Sequence, residues 1–209
     1  DASGSFKNTI PNVQNALKTL TTFVKEEEYD ENNPRLVKTD NPDTSDRVMM
    51  ATFQGADGYN YYYNNDFTGR KDVYGSWGPD YDYKYKASNL SSDQNDIHQF
   101  INNIKVAGGT PTVPAIDDVI AQYNERKGNM ANGRKTIFLL ITDGVANGKR
   151  DPDGKVRLEY SDYRNNILTR AWNFNELTEA SQNVLGRVKE VKEASTRLKN
   201  VVGSEGTVV

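Results

Sequence analysis

Residues 136–142, Thr-Ile-Phe-Leu-Leu-Ile-Thr, are the most apolar run in the chain, and Asp143-Gly144 ends it. The run does not alternate with polar residues. A strand solvated on one face alternates, whereas one covered on both faces does not. The run therefore predicts the central strand of a parallel sheet. Parallel neighbours need crossover connections, usually helices, so this one segment points to an α/β fold.

The remaining segments fit that frame. Ile10, Val13, Leu17, Leu20 and Val24 recur at three- and four-residue steps, one stripe of an amphipathic helix with Pro11 in its first turn. Residues 30–46 are polar, carry Pro34 and Pro42, and read as a loop. Val48 to Phe53 reads as a strand. Asp93 to Val106 turns helical, with Ile97, Phe100, Ile101 and Ile104 on one face. Gly108-Gly109-Thr110-Pro111-Thr112 breaks it, and a further helix follows with Val113, Ile116, Ile120 and Tyr123 inward. Leu177, Ala180, Val184, Val188, Val191 and Leu198 mark a long helix, and Thr207-Val208-Val209 begins another strand. Strands alternating with helices predict a doubly wound, mostly parallel sheet flanked by helices.

Two stretches interrupt the pattern. Residues 54–92 hold eight of the twelve tyrosines, together with Trp77 and many Gly, Asn and Asp residues. Residues 145–175 are polar, with a turn at Asp151-Pro152-Asp153-Gly154. Loops this long in a compact domain usually carry function, so both read as inserted arms. Tyrosine gives rigid contact area with a hydrogen-bonding tip. Tyr61, Tyr62, Tyr63, Trp77, Tyr81 and Tyr83 are thus candidate ligand contacts, and a purely structural arm is the alternative. Asp57, Asp66 and Asp72 lack the spacing of a calcium loop.

Of the 209 residues, 35% are apolar and the formal net charge is −3. Mean hydropathy is −0.80. The only run of like charge is Glu26-Glu27-Glu28, read as a solvated helix end, so nothing points to nucleic acid. No segment is long and apolar enough to insert into a membrane. There are no cysteines, which excludes disulfides and thiolate metal sites.

Three fragments fall where an open α/β sheet places its ligands, beyond the carboxyl ends of strands. They are Asp1, Ser3 and Ser5; Thr110 in the Gly-Gly-Thr turn; and Asp143 after the apolar run. All offer hard oxygen donors, which suit Mg²⁺, with Mn²⁺ or Ca²⁺ as alternatives, rather than zinc or copper. Two carboxylates and three hydroxyls do not close a cage, so a carboxylate from a partner can complete the octahedron. The competing reading of Asp-Ala-Ser-Gly-Ser is an ordinary loop or helix cap.

Asp-x-Ser-x-Ser, a distant Thr and Thr142-Asp143-Gly144 after an apolar strand resemble the metal-ion-dependent adhesion site of von Willebrand factor A domains. The order of elements is similar over nearly the whole chain. The resemblance implies that Ser3 and Ser5 bind the metal directly. Thr110, Asp1 and Asp143 would bind it directly or through water. It also implies a single domain over 1–209 that lacks the family's first strand and closing elements, so the chain reads as a piece cut from a longer protein.

Two arms rimming the metal face are similar to the tip adhesins of Gram-positive pili. The implied function is extracellular adhesion at a bacterial surface or pilus. A cation completed by an acidic residue of a host protein would make the contact, with matrix proteins such as fibronectin, fibrinogen or collagen as ligands and pilus or cell-wall subunits as further partners. The alternatives are an intracellular assembly factor paired with a chaperone-type ATPase, or a structural pilus module. Enzyme readings find no support. There is no Gly-x-Ser-x-Gly elbow or phosphate loop, and His98, the only histidine, reads as solvated.

Overall fold

The structure is a computed structural model that describes residues 1–55, 83–127, 135–142, 146, 148–150, 152, 154, 156–158, 174–203 and 206–209. The chain enters through a 3₁₀ turn, Gly4–Asn8, anchored by the buried Phe6. Helix α1 (Ile10–Leu20) follows, with proline in its first turn. It ends at Thr21, whose hydroxyl donates back to the Leu17 carbonyl at 2.7 Å. The sequence stripe runs on to Val24, but Val24 lies in strand β1 (Phe23–Lys25). A polar stretch read as loop supplies its parallel partner, β2 (Leu36–Lys38). Glu26–Glu28 form an exposed 3₁₀ turn of their own.

Strand β3 (Ala51–Gly55) pairs antiparallel with β4 (Tyr83–Ala87), in the register Gly55↔Tyr83 to Ala51↔Ala87. The expected strand from Val48 is interrupted, with Val48 held only by a bridge to Ser91. Side chains alternate across β4. The Tyr83 and Tyr85 hydroxyls donate to Asp118 and Gln122, while Lys86 lies over the Phe100 ring on the other side.

Helix α2 (Gln94–Asn102) starts at Asp93, whose carboxylate accepts from the Asn95 N–H at 2.8 Å. It ends before Ile104 and buries Ile97 and Ile101. Two polar contacts tie it to α1. The Gln14 amide donates to the Ile101 carbonyl, and His98 Nε2 lies 3.2 Å from the Lys18 carbonyl. His98 is therefore half-buried at a helix–helix contact rather than solvated, because the α1 carbonyl end faces it. Leu20, expected inward, is 56% exposed.

Helix α3 (Thr112–Lys127) and helix α4 (Phe174–Val202) build the main core. Ile116 and Tyr123 of α3 pack with Ala194, Leu198 and Val202 of α4, and Phe138, Leu140 and Val208 lie against them. The Tyr123 and Phe138 rings meet edge-on at 5.5 Å. Arg197 and Asp117 clasp the two helices from outside at 2.6 Å. Val188, expected on the inner stripe of α4, is 57% exposed.

Phe138 lies in β5 (Thr136–Phe138), which runs parallel to β8 (Gly206–Val208). The ladder extends through Leu140 N–H to the Val209 carbonyl at 2.9 Å. This is the parallel pairing expected of the apolar run. Cover on both faces is not found in the described residues. Ile137 and Leu139 are 71% and 52% exposed, because α3 and α4 pack on the face of Phe138 and Leu140 only. An all-apolar run cannot report which of its faces is covered.

Strands β6 (Gly148–Arg150) and β7 (Val156–Leu158) form an antiparallel pair on either side of residues 151–155. The second arm thus holds a hairpin. Among the described residues the architecture is mixed α/β, with four two-stranded sheets, two of them parallel.

Ile101 is fully buried. Ile101→Ala is expected to cost about 2–5 kcal/mol, measured by chemical denaturation.

Candidate functional site

The amino-terminal loop is held by its backbone between two sheet fragments. The Asp1 nitrogen donates to the Ile141 carbonyl at 3.0 Å, and the Ala2 N–H donates to the Phe53 carbonyl at 2.8 Å. On its other side the loop meets the turn before α3. The Ala107 N–H donates to the Ala2 carbonyl and the Gly4 N–H to the Gly108 carbonyl, both at 2.9 Å. The Gly55 N–H donates to the Gly109 carbonyl at 3.0 Å. The Gln54 side-chain amide is placed to donate to the Ala2 and Lys105 carbonyls. Loop, strand end and turn are therefore tied together through backbone groups.

This framework needs glycine. Gly108 has φ +66°, and a Cβ there would lie 1.5 Å from the Gly55 carbonyl oxygen. At Gly4 a Cβ would lie 3.3 Å from the Gly108 carbonyl oxygen, a tight but lesser approach.

The oxygen donors gather on this framework. Asp1 Oδ1 accepts from the Ser3 N–H at 2.8 Å, and Asp1 Oδ2 accepts from the Thr142 hydroxyl at 2.7 Å. The Ser3 and Ser5 hydroxyl oxygens are 2.8 Å apart. Ser3 and Thr110 are buried, at 1% and 5% exposure, while Ser5 and Thr142 face solvent. The donors thus run from two buried hydroxyls to two exposed ones. Asp1, Ser3 and Ser5 are thus brought together, and Thr110 sits in the turn bonded to their loop. Asp143 lies outside the described residues, next to Thr142, whose hydroxyl reaches Asp1. Thr142 was visible in the Thr-Asp-Gly motif but had been given no role there.

Of the arm residues, Tyr61, Tyr62, Tyr63, Trp77 and Tyr81 lie outside the described residues. Tyr83 turns its hydroxyl onto Asp118 Oδ2 at 2.7 Å. Burial, and then the hydrogen bond to Asp118, push its phenol far above the ordinary value. Arg150, from the second arm, covers the Tyr83 ring at 5.6 Å. Its Nη2 also contacts both Asp118 carboxylate oxygens, at 3.0 and 3.1 Å. Tyr85 donates to Gln122 Oε1 at 2.7 Å, and burial, then the Asp118 charge, push its phenol up to about 12.

A scan against known protein families gives no match. No solved structure matches either. A search of curated proteins does find a relative. The chain is similar to Platelet adherence protein A of Streptococcus gordonii strain Challis. The two are 56% identical over 214 residues, an alignment that takes in all of this chain and 6% of that protein. The chain thus spans only a small part, 6%, of the length of that relative. No helix among the described residues is long and apolar enough to cross a membrane.

Gly108→Ala is expected to destabilise the protein, because the Gly55 carbonyl must move; a lowered melting temperature checks it. The tyrosines predict an alkaline limit. A phenol raised in the fold stabilises it fully below its unfolded value, about 10, and that contribution is lost as pH rises through the folded value. Stability measured by denaturant should fall above pH about 10, less steeply in Tyr85→Phe.

Proposed function

We propose that the chain is an extracellular adhesion module of von Willebrand factor A type, a binding protein rather than an enzyme. Its ligand would be a host surface or matrix protein, captured through a divalent cation held by Asp1, Ser3, Ser5, Thr110 and Asp143. The observation that carries the reading is the convergence of the Asp1, Ser3 and Ser5 oxygens, with the Ser3 and Ser5 hydroxyls hydrogen-bonded at 2.8 Å and Ser5 facing solvent. Adjacent ligands of an octahedral ion at 2.0–2.1 Å lie about 2.9 Å apart, so a hydroxyl pair at this hydrogen-bond distance is compatible with neighbouring positions on Mg²⁺. Ca²⁺, with longer bonds, spreads octahedral neighbours further. The Thr112 hydroxyl, two residues beyond Thr110, is buried without a partner, an orphan of the kind ordered water satisfies.

When bound, the cation supplies a localised positive charge with a position open to a carboxylate. The protein's own groups set that position. Asp1 is engaged at both oxygens by Ser3 and Thr142, which suits a water-bridged role. Ser5 marks the side from which a ligand arrives. In this reading the sheet is doubly wound. The β3–β4 and β5–β8 fragments would belong to one sheet across the Asp1 loop, with α3 and α4 on the face of Phe138 and Leu140.

The similarity to an adherence protein supports adhesion over the intracellular assembly reading, and platelets are the first host surface to try. Specificity would come from the arms, because one carboxylate–metal bond cannot distinguish proteins.

The test is adhesion of the full-length protein to washed platelets, fibronectin, fibrinogen and collagen, in Mg²⁺ and in chelator. Adhesion should need Mg²⁺ and fall in Ser3→Ala and Ser5→Ala. The same variants should lose the Mg²⁺-dependent rise in melting temperature, worth about 2.7 kcal/mol at a hundredfold excess over Kd. Adhesion that survives both chelator and Ser3→Ala would refute the metal-dependent reading.

A further inference from the structure

Asp118 of α3 is the meeting point of two segments far apart in sequence. From one side it receives the Tyr83 hydroxyl, at the end of the first arm; from the other it receives Arg150, at the start of the second. Arg150 also lies over the Tyr83 ring, so the three groups close a triangle. Its placement matters. Tyr83 pairs directly with Gly55, the residue whose N–H holds the Gly109 carbonyl, and α3 begins immediately after the Thr110 turn.

We infer that Asp118 is a positioning residue that clasps Tyr83 and Arg150, the roots of the two arms, to α3, so that ligand reading depends on both roots being held together. An ion pair as exposed as Asp118–Arg150, with side chains 31% and 35% exposed, contributes little to global stability. The clasp therefore acts through geometry. One carboxylate holds a tyrosine from one arm and an arginine from the other, so losing either partner leaves that carboxylate less fixed and loosens the other's anchor. The adhesive consequence rests on the function proposed above; the coupling between the strands does not.

The test separates the two. Hydrogen exchange is followed in the full-length protein over residues 83–87 and 156–158, with Tyr83→Phe, Arg150→Ala and Asp118→Asn. Tyr83→Phe should raise exchange in 156–158, and Arg150→Ala should raise it in 83–87, each by about threefold, in segments that the substitution does not touch. Asp118→Asn should raise both. Adhesion to washed platelets should fall by about fivefold in Arg150→Ala and Asp118→Asn, and the double variant should add little. Mg²⁺ affinity of Arg150→Ala, measured by calorimetry, should equal that of the parent. Exchange that rises only in the substituted strand would overturn the clasp. Exchange that rises in both strands with platelet adhesion intact would overturn its role in ligand reading.

Discussion

The site depends on a set of backbone hydrogen bonds around Ala2. Its N–H is held by Phe53, its carbonyl by Ala107, and two residues on the Gly4 N–H is held by Gly108. These bonds fix where Asp1, Ser3 and Ser5 begin, so the side chains need little ordering of their own. Because the partners are main-chain groups, the arrangement tolerates change in most neighbouring side chains. It does not tolerate a Cβ at Gly108, where the Gly55 carbonyl occupies the space.

The same bonds connect the site to the rest of the molecule. Phe53 and Gly55 belong to β3, and Gly108 and Gly109 lead into α3, whose inner face packs on α4. A shift of the Thr110 turn would be felt by both β3 and α3. Tyr83 and Tyr85 of β4, the ladder partner of β3, tie that strand pair to α3 a second time. The oxygen donors thus sit on a platform of backbone hydrogen bonds, with Ser5 and Thr142 facing solvent.

Much of this was legible in the residues. The apolar run announced a parallel strand because no alternating segment looks like it, and Phe138 pairs as expected. The Asp-x-Ser-x-Ser loop announced converging oxygens, and Ser3 and Ser5 do converge. Other features were hidden for physical reasons. Val24 continues a helical spacing, yet the helix stops at Thr21, where a side-chain hydroxyl bonds back to Leu17. The isolated position of His98 suggested solvent, because nothing local reveals that the Lys18 carbonyl faces it from another helix. Ile137 and Leu139 are as apolar as Phe138 and Leu140, so composition could not tell the covered face from the open one. Asp118 takes its partners from positions 83 and 150, and no sequence pattern joins them.

The register of β3 and β4 has a mechanical corollary. Residues 56–82 leave the sheet at Gly55 and return at Tyr83, which are paired with each other. Tension applied to that segment is delivered to a single rung and would open the ladder one pair at a time, the weak direction for a hairpin under load. Tyr83 is also the rung fastened to α3 through Asp118. A pull on that segment therefore meets the helix before it can peel the strands, and resistance to unzipping is set at the root of the segment rather than along its length.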